Sequence, residues 1–214
     1  MSVVFDNLDR FWEGFVGTIT ITLCAFVLAF VLGVVIATFR VSPIPPLRWT
    51  GTAWVEIWRN IPLTVILFLA FFGSPKLGVA LDPWPTAVLA CGVYTSAFVA
   101  ETVRSGFNAV PAGQAEAARA LGLTFPQVLS TVVWPQAIRS TVPPLGSVFI
   151  ALTKNTSIAT TIAAIELTTV SIALINETAQ AIPVFIGTAI AYLALTLPSG
   201  YVTSVLERKV AIRR

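Results

Sequence analysis

The chain has 214 residues, 56% of them hydrophobic and 11% charged, with a net charge of +3 and a mean hydropathy of +0.86. Roughly a quarter of the residues of a soluble domain are charged, so this composition cannot cover a water-exposed surface. Histidine is absent, which excludes imidazole metal sites and histidine acid–base catalysis.

The apolar residues fall in blocks long enough to cross a bilayer, about 20 residues each. The reading is an all-α polytopic membrane protein, one transmembrane domain over 1–214. Five spans are expected, over residues 14–39, 53–72, 84–106, 141–165 and 182–205. The start, MSVVFDNLDRFWEGF, has acidic residues and no basic n-region, and the first apolar block runs on to Phe39. That block is too long for a cleaved signal and is expected to remain as a spanning helix. Cys24 and Cys91 lie inside apolar blocks and read as small membrane-helix residues, not as a disulfide or metal pair. The fourth span is interrupted by Lys154, Asn155, Thr156 and Ser157, and the stretch after it, 166–180, is weakly amphipathic.

Basic residues set the orientation. With the N-terminus outside, Arg40, Arg48, Arg104, Arg119, Arg139, Arg208, Lys209, Arg213 and Arg214 lie inside, and only Arg10 and Lys76 lie outside. This places the long polar connection 107–140 in the cytoplasm. An ordered segment of that length between spans usually has a function. Pro111 suits a first helical position, the helix formers from Gln114 to Leu121 follow, and Gly122 suits a C-terminal cap. Thr124 and Pro126 then open a second helix over 126–133, which Pro135 is expected to end.

Within this loop, Glu116, Ala117 and Ala118 are followed after three residues by Gly122, and after nine more by Val132, Val133, Trp134 and Pro135. The pattern resembles the EAA loop of ABC importer permeases, with Trp134 where that family usually has leucine. Three further segments resemble the polar-amino-acid group of those permeases: 58–63 (WRNIPL), 94–106 (YTSAFVAETVRSG) and 151–157 (ALTKNTS). Within that group, 40–43 (RVSP), 94–96 (YTS) and 195–198 (LTLP) look most like actinobacterial glutamate permeases.

The resemblance implies a type I ABC importer permease in a bacterial cytoplasmic membrane. Glu116, Ala117, Ala118, Gly122 and Pro135 would then form a coupling helix and its flanks, seated in a groove of a partner ATPase. The implied assembly has two permease chains, identical or related, two ATPase subunits and an extracytoplasmic substrate-binding protein. ATP and magnesium would belong to the ATPase. The chain itself lacks the GxxxxGK[ST] phosphate loop, so no cofactor, catalytic residue or metal is expected on it, nor a nucleic-acid partner. The cargo would be a polar amino acid, with glutamate favoured.

Ionisable residues inside a bilayer are functional candidates by default, and three fall within the spans: Arg59, Glu101 and Lys154. Arg59 and Glu101 both fall in the cytoplasmic third, within reach of an ion pair that either lines the pathway or serves as a structural bridge. Glu101 and Arg104 are neighbours on one helix face, which Tyr94 and Ala97 continue outward. Lys154 lies about thirteen residues into its span, near the midplane, too deep for easy snorkelling. It should face a polar cavity, a carboxylate or backbone carbonyls. Lys154, Asn155, Thr156 and Ser157 are therefore either part of the substrate pathway or a hydrogen-bonded kink. Two readings from other classes are an ion-gradient-driven secondary transporter or channel, and a membrane scaffold that anchors an ATPase without transporting.

Overall fold

The computed structural model describes residues 2–210, so Arg213 and Arg214, assigned above to the inner side, lie outside the described residues. Ten α-helices follow one another: α1 (Ser2–Phe5), α2 (Leu8–Val41), α3 (Pro45–Asn60), α4 (Leu63–Gly73), α5 (Pro83–Asn108), α6 (Ala112–Ala120), α7 (Phe125–Gln127), α8 (Trp134–Asn155), α9 (Leu167–Thr178) and α10 (Ala181–Val210). Short 3-10 segments cover Ser74–Leu77 and Thr156–Ile162, and a π-helical turn covers Val128–Val133. No strand occurs among the described residues. The expected all-α class is the one observed.

Helices α2, α5 and α10 are each long and apolar enough to cross a membrane. Two bent pairs pass the same test when each is taken together, which gives the expected five spans. The bends correct two of the predicted elements. The second span, expected as one helix over 53–72, is α3 and α4 with its 3-10 extension, bent by 97°. The cause is Pro62, which forces the preceding Ile61 into extended backbone (φ −92°, ψ 130°). The fourth span, expected over 141–165, extends backward through α8 to Phe125 and is bent by 48° from α9.

Pro135 does not end a helix, contrary to expectation. Helix α7 starts at a capping box, in which the backbone N–H of Thr124 donates to Gln127 Oε1 at 2.8 Å. The chain then passes through the π turn straight into α8. In that turn the Trp134 N–H reaches back five residues to the Leu129 carbonyl, and Pro135 enters the first turn of α8. The π turn shifts the hydrogen-bond register just before it, so the helix continues past a residue that has no N–H.

Helix α2 is the spine. It lies parallel to α5, as Trp84 Nε1 bonded to Thr20 Oγ1 at one end and Arg40 bonded to Glu101 at the other require. The seam is built from small residues: Ala25, Ala29 and Ala37 of α2 and Ala87, Ala90, Ala97 and Ala100 of α5 are all buried. In lipid no hydrophobic drive separates helix from solvent, so association rests on close van der Waals packing of this kind. A Cβ on Gly33 would stand 2.6 Å from the Val99 Cβ and 2.9 Å from the Ser96 carbonyl. Helix α8 then runs antiparallel to α5, and α10 antiparallel to α8, as Gly106 against Ala137 and Gly146 against Thr203 require. The ends of α2, α5 and α10, the start of α8 and the whole α6–α7 connection therefore share one end of the bundle.

Gly33→Val should overpack the α2–α5 seam by about 1–3 kcal/mol and lower the thermal unfolding midpoint of the purified protein. Gly73→Ala, where nothing lies within 4 Å of the added carbon, should leave that midpoint unchanged.

Candidate functional site

A cavity of about 260 Å³ opens between α5 and α8, lined by Tyr94, Thr95, Phe98, Val148, Ala151, Leu152 and Asn155. Two of the residues named from sequence, Tyr94 and Asn155, therefore meet in one place although they are far apart in the chain. Arg59 belongs to its rim: its guanidinium carbon stands 5.3 Å from the centroid of the Phe98 ring, a cation–π arrangement. Trp58, Ile61, Tyr94 and Ile158 all pack against one buried apolar cluster that includes Leu152. The bend at Pro62 thus delivers the end of α3 to the cavity.

Glu101 is not the partner of Arg59. It accepts from Arg40 Nη1 on one carboxylate oxygen and from Arg104 Nη2 on the other. Arg59 sits over Phe98, three residues before Glu101 on α5, because α3 ends at Asn60 and does not continue as a straight span past α5. The expected proximity assumed an uninterrupted second helix. Arg40 was the residue missed, since it stands at the end of the first span and reads there as an orienting charge. The Arg40–Glu101–Arg104 cluster instead cross-links α2 and α5 at the end of the bundle that carries α6.

The polar run after the α8 core divides. Lys154 is exposed and forms no ion pair among the described residues. Asn155 lines the cavity. Thr156 is buried and donates to the Thr153 carbonyl at 2.8 Å, and Ser157 donates to the Lys154 carbonyl at 2.7 Å. These two hydroxyls accompany the switch from α to 3-10 geometry at Thr156, the hydrogen-bonded interruption that was one of the two readings of the run.

A further buried acid escaped the sequence reading. Glu166 has 0% relative exposure and caps α9. Its carboxylate accepts from the backbone N–H groups of Thr168 (2.9 Å) and Thr169 (2.7 Å) and from Tyr192 Oη (2.7 Å). Thr18 of α2 accepts from the Leu167 N–H at 3.2 Å. The available signal was an acid directly before an apolar run with two threonines in its first turn, a helix start.

The loop residues form a compact unit. In α6, Glu116 and Ala117 are exposed and Ala118 is buried. Gly122 adopts φ +85°, the left-handed region that favours glycine. The Leu123 N–H bonds to the Ala118 carbonyl (3.2 Å) and the Gly122 N–H to the Arg119 carbonyl (2.9 Å), the paired closure of a Schellman motif. Pro135 is exposed, two residues beyond the π segment.

Residues 15–212 match the family model described as the inner membrane component of binding-protein-dependent transport systems. The chain belongs to that family. It is 40% identical over 209 residues to the "Probable glutamine ABC transporter permease protein GlnM" of Bacillus subtilis, covering 98% of this chain and 97% of that one. It is also 40% identical to the "Glutamate transport system permease protein GluC" of Corynebacterium efficiens, covering 97% and 95%. Among solved structures it resembles a chain of "an amino acid ABC transporter with histidines", at TM-score 0.92 and 31% identity over 96% of both chains. The fold is thus that of a type I ABC importer permease.

Glu166→Ala should strand the Thr168 and Thr169 amides in the first turn of α9, at about 1–3 kcal/mol for each group left unsatisfied. Thermal unfolding should fall accordingly, and limited proteolysis should open between α8 and α9. Glu166→Gln keeps one acceptor oxygen and should fall between the two.

Proposed function

We propose that this chain is the transmembrane subunit of an ABC importer for a polar amino acid, with glutamate the favoured cargo. Two permease chains, identical or related, would enclose the pathway, two ATPase subunits would bind them from the cytoplasm, and an extracytoplasmic binding protein would deliver substrate. ATP and magnesium act on the ATPase. The observation that carries this reading is α6: a separate helix at one end of the bundle, presenting Glu116 and Ala117 outward and closed behind by the left-handed Gly122. Small exposed residues let such a helix seat closely in a groove of a partner.

The orientation follows from the same end of the bundle. Arg40, Arg104 and Arg139 stand there with α6 and with Arg208 and Lys209 of α10, so the positive-inside rule makes it cytoplasmic and puts the N-terminus outside. ATP binding draws the ATPase subunits together, α6 follows, and the bent helices around Pro62 and Thr156 re-pack to expose the pathway outward. Hydrolysis then returns it inward with the substrate.

The substrate region is the cavity with Tyr94 and Asn155, its rim at Arg59, and Lys154 with Thr156 and Ser157 beyond. Lys154 supports this assignment most directly. An unpaired ammonium exposed deep in a span is costly against lipid, so it should face a water-lined pathway or the second chain. There it would meet the carboxylate that every amino acid carries, and the relatives named for glutamine and glutamate transport agree with such a cargo. Glu101, held by two arginines, is assigned to the cytoplasmic closure of the pathway.

In proteoliposomes containing the full transporter, Glu116→Ala or Gly122→Val should lower ATP-dependent uptake at least tenfold, by loss of ATPase docking or by uncoupling hydrolysis. Normal uptake by both variants would refute the role of α6. Lys154→Ala should reduce uptake of radiolabelled glutamate by a similar factor while the complex still assembles on size exclusion, and unchanged uptake would return Lys154 to a structural role.

A further inference from the structure

A second, larger cavity of about 460 Å³ lies between α2, α8 and α10, on the face of α8 away from the substrate region. Its walls are Phe26 and Phe30 of α2, Val142, Leu145, Gly146 and Phe149 of α8, and the α10 stripe from Pro198 to Leu206. A smaller cavity of about 180 Å³ prolongs it toward the opposite end of the bundle, sharing Phe149 and Ser199 and ending near Ile19 and Leu195. The two form one apolar crevice along the helix axes.

The few polar residues in it are already satisfied. Ser199 donates to the Leu195 carbonyl at 2.8 Å and Thr203 to the Ser199 carbonyl at 2.9 Å. In the upper part Thr22 and Thr153 donate to Thr18 and Phe149 carbonyls in the same way. These hydroxyl protons are committed to the helices' own carbonyls. An amino acid would find no free donor or charge there, whereas a hydrocarbon chain would lose nothing. Phe30, Val202 and Leu206 are all exposed, so the crevice opens sideways onto the surroundings of the bundle.

Its far end is charged. On α8 the lining positions 149, 146 and 142 continue at helical spacing to Arg139, and on α10 positions 199, 202 and 206 continue to Lys209. Both cations are exposed and lie one turn beyond the last lining residue, at the end that carries α6. An apolar slot with a cation one turn beyond its end on each of two walls is complementary to one ligand chemistry, an acyl chain attached to an anionic headgroup.

We propose that this crevice binds an anionic phospholipid, with an acyl chain along Phe26, Phe30, Phe149 and Val202 and the headgroup phosphate at Arg139 and Lys209. The assignment of the headgroup to the cytoplasmic leaflet rests on the orientation proposed above, but the binding itself does not. A lipid so placed would fill the space α2 leaves beside α8 and α10, and would stiffen the helix that follows directly from the α6–α7 loop.

The test is native mass spectrometry of the intact permease–ATPase complex, delipidated and then titrated with phosphatidylglycerol or, separately, phosphatidylcholine. Wild type should retain phosphatidylglycerol at least fivefold more than phosphatidylcholine. Arg139→Gln with Lys209→Gln should abolish that preference, and Val202→Trp, which fills the slot, should remove the retained lipid of both kinds. Equal retention of the two lipids by wild type, or an unchanged preference in the double variant, overturns the proposal. Size exclusion with the ATPase checks that Val202→Trp still folds, and Leu206→Trp serves in its place if it does not. Disulfide cross-linking between two permease chains through Val202→Cys would show a second copy in the crevice and would equally overturn it. None of these readouts depends on transport, so a failed lipid preference is distinguishable from a failed importer assignment, which would show as no permease–ATPase complex to titrate.

Discussion

In hydrocarbon a backbone N–H or carbonyl without a partner costs several kcal/mol, and a spanning chain must stay helical or replace each lost bond. This constraint organises the whole molecule, because the chain leaves α-helical geometry at several internal points and each departure carries its own replacement. At the start of α9 the replacement is the Glu166 carboxylate with the Thr18 hydroxyl. At Thr156 it is a 3-10 turn with hydroxyls bonded back to carbonyls. Before Pro135 it is a π turn that carries the helix past a residue with no N–H. Breaks so compensated can persist in a membrane, and the breaks at Pro62 and Thr156 are what bring polar side chains to the α5–α8 cavity.

The spine formed by α2 and α5 supplies the rigidity against which those breaks stand. Its alanines and glycines bring two backbones close along most of their length, and the Arg40–Glu101–Arg104 cluster locks the same pair at the end near α6. On the coupling role proposed for α6, a motion arriving through it would meet a stiff pair on one side. On the other side is a single helix, α8, which follows directly from the α6–α7 loop and ends at the cavity. The π turn lies on that route. Such turns interrupt regular hydrogen bonding and often occur at functional positions.

Span number, helical class and the position of the loop were legible in sequence because each rests on local signals: apolar block length, proline and glycine placement, and motif spacing. The Gly122 cap was readable for the same reason, since a positive φ at a helix end favours glycine. Pro62 and Pro135 show where that reading stops. Both residues announce a possible break, yet one bends the chain by 97° and the other is passed without a stop. The difference lies in the hydrogen bonding of the preceding turn, which no local propensity records. The Arg59–Glu101 pairing failed for the related reason that it depended on two helices being straight. Glu166 was missed because an acid beside a weak amphipathic stretch looks like a loop residue until the Tyr192 hydroxyl, 26 positions away, is seen to bond it.

The ionisable residues of the spans thus separate by partnership, not by depth or sign. Glu101 has both carboxylate oxygens taken by guanidinium groups, and Glu166 has its oxygens taken by amides and a phenol. A carboxylate committed in this way is expensive to disengage, since its removal leaves buried partners unpaired. Neither is therefore suited to capture and release an ammonium group in each transport cycle. Arg59 faces only an aromatic ring, and Lys154 has no anionic partner among the described residues. Groups held so lightly can exchange partners at little cost. The carboxylates hold the scaffold, and the two weakly held cations are the groups free to serve the substrate role proposed for them above.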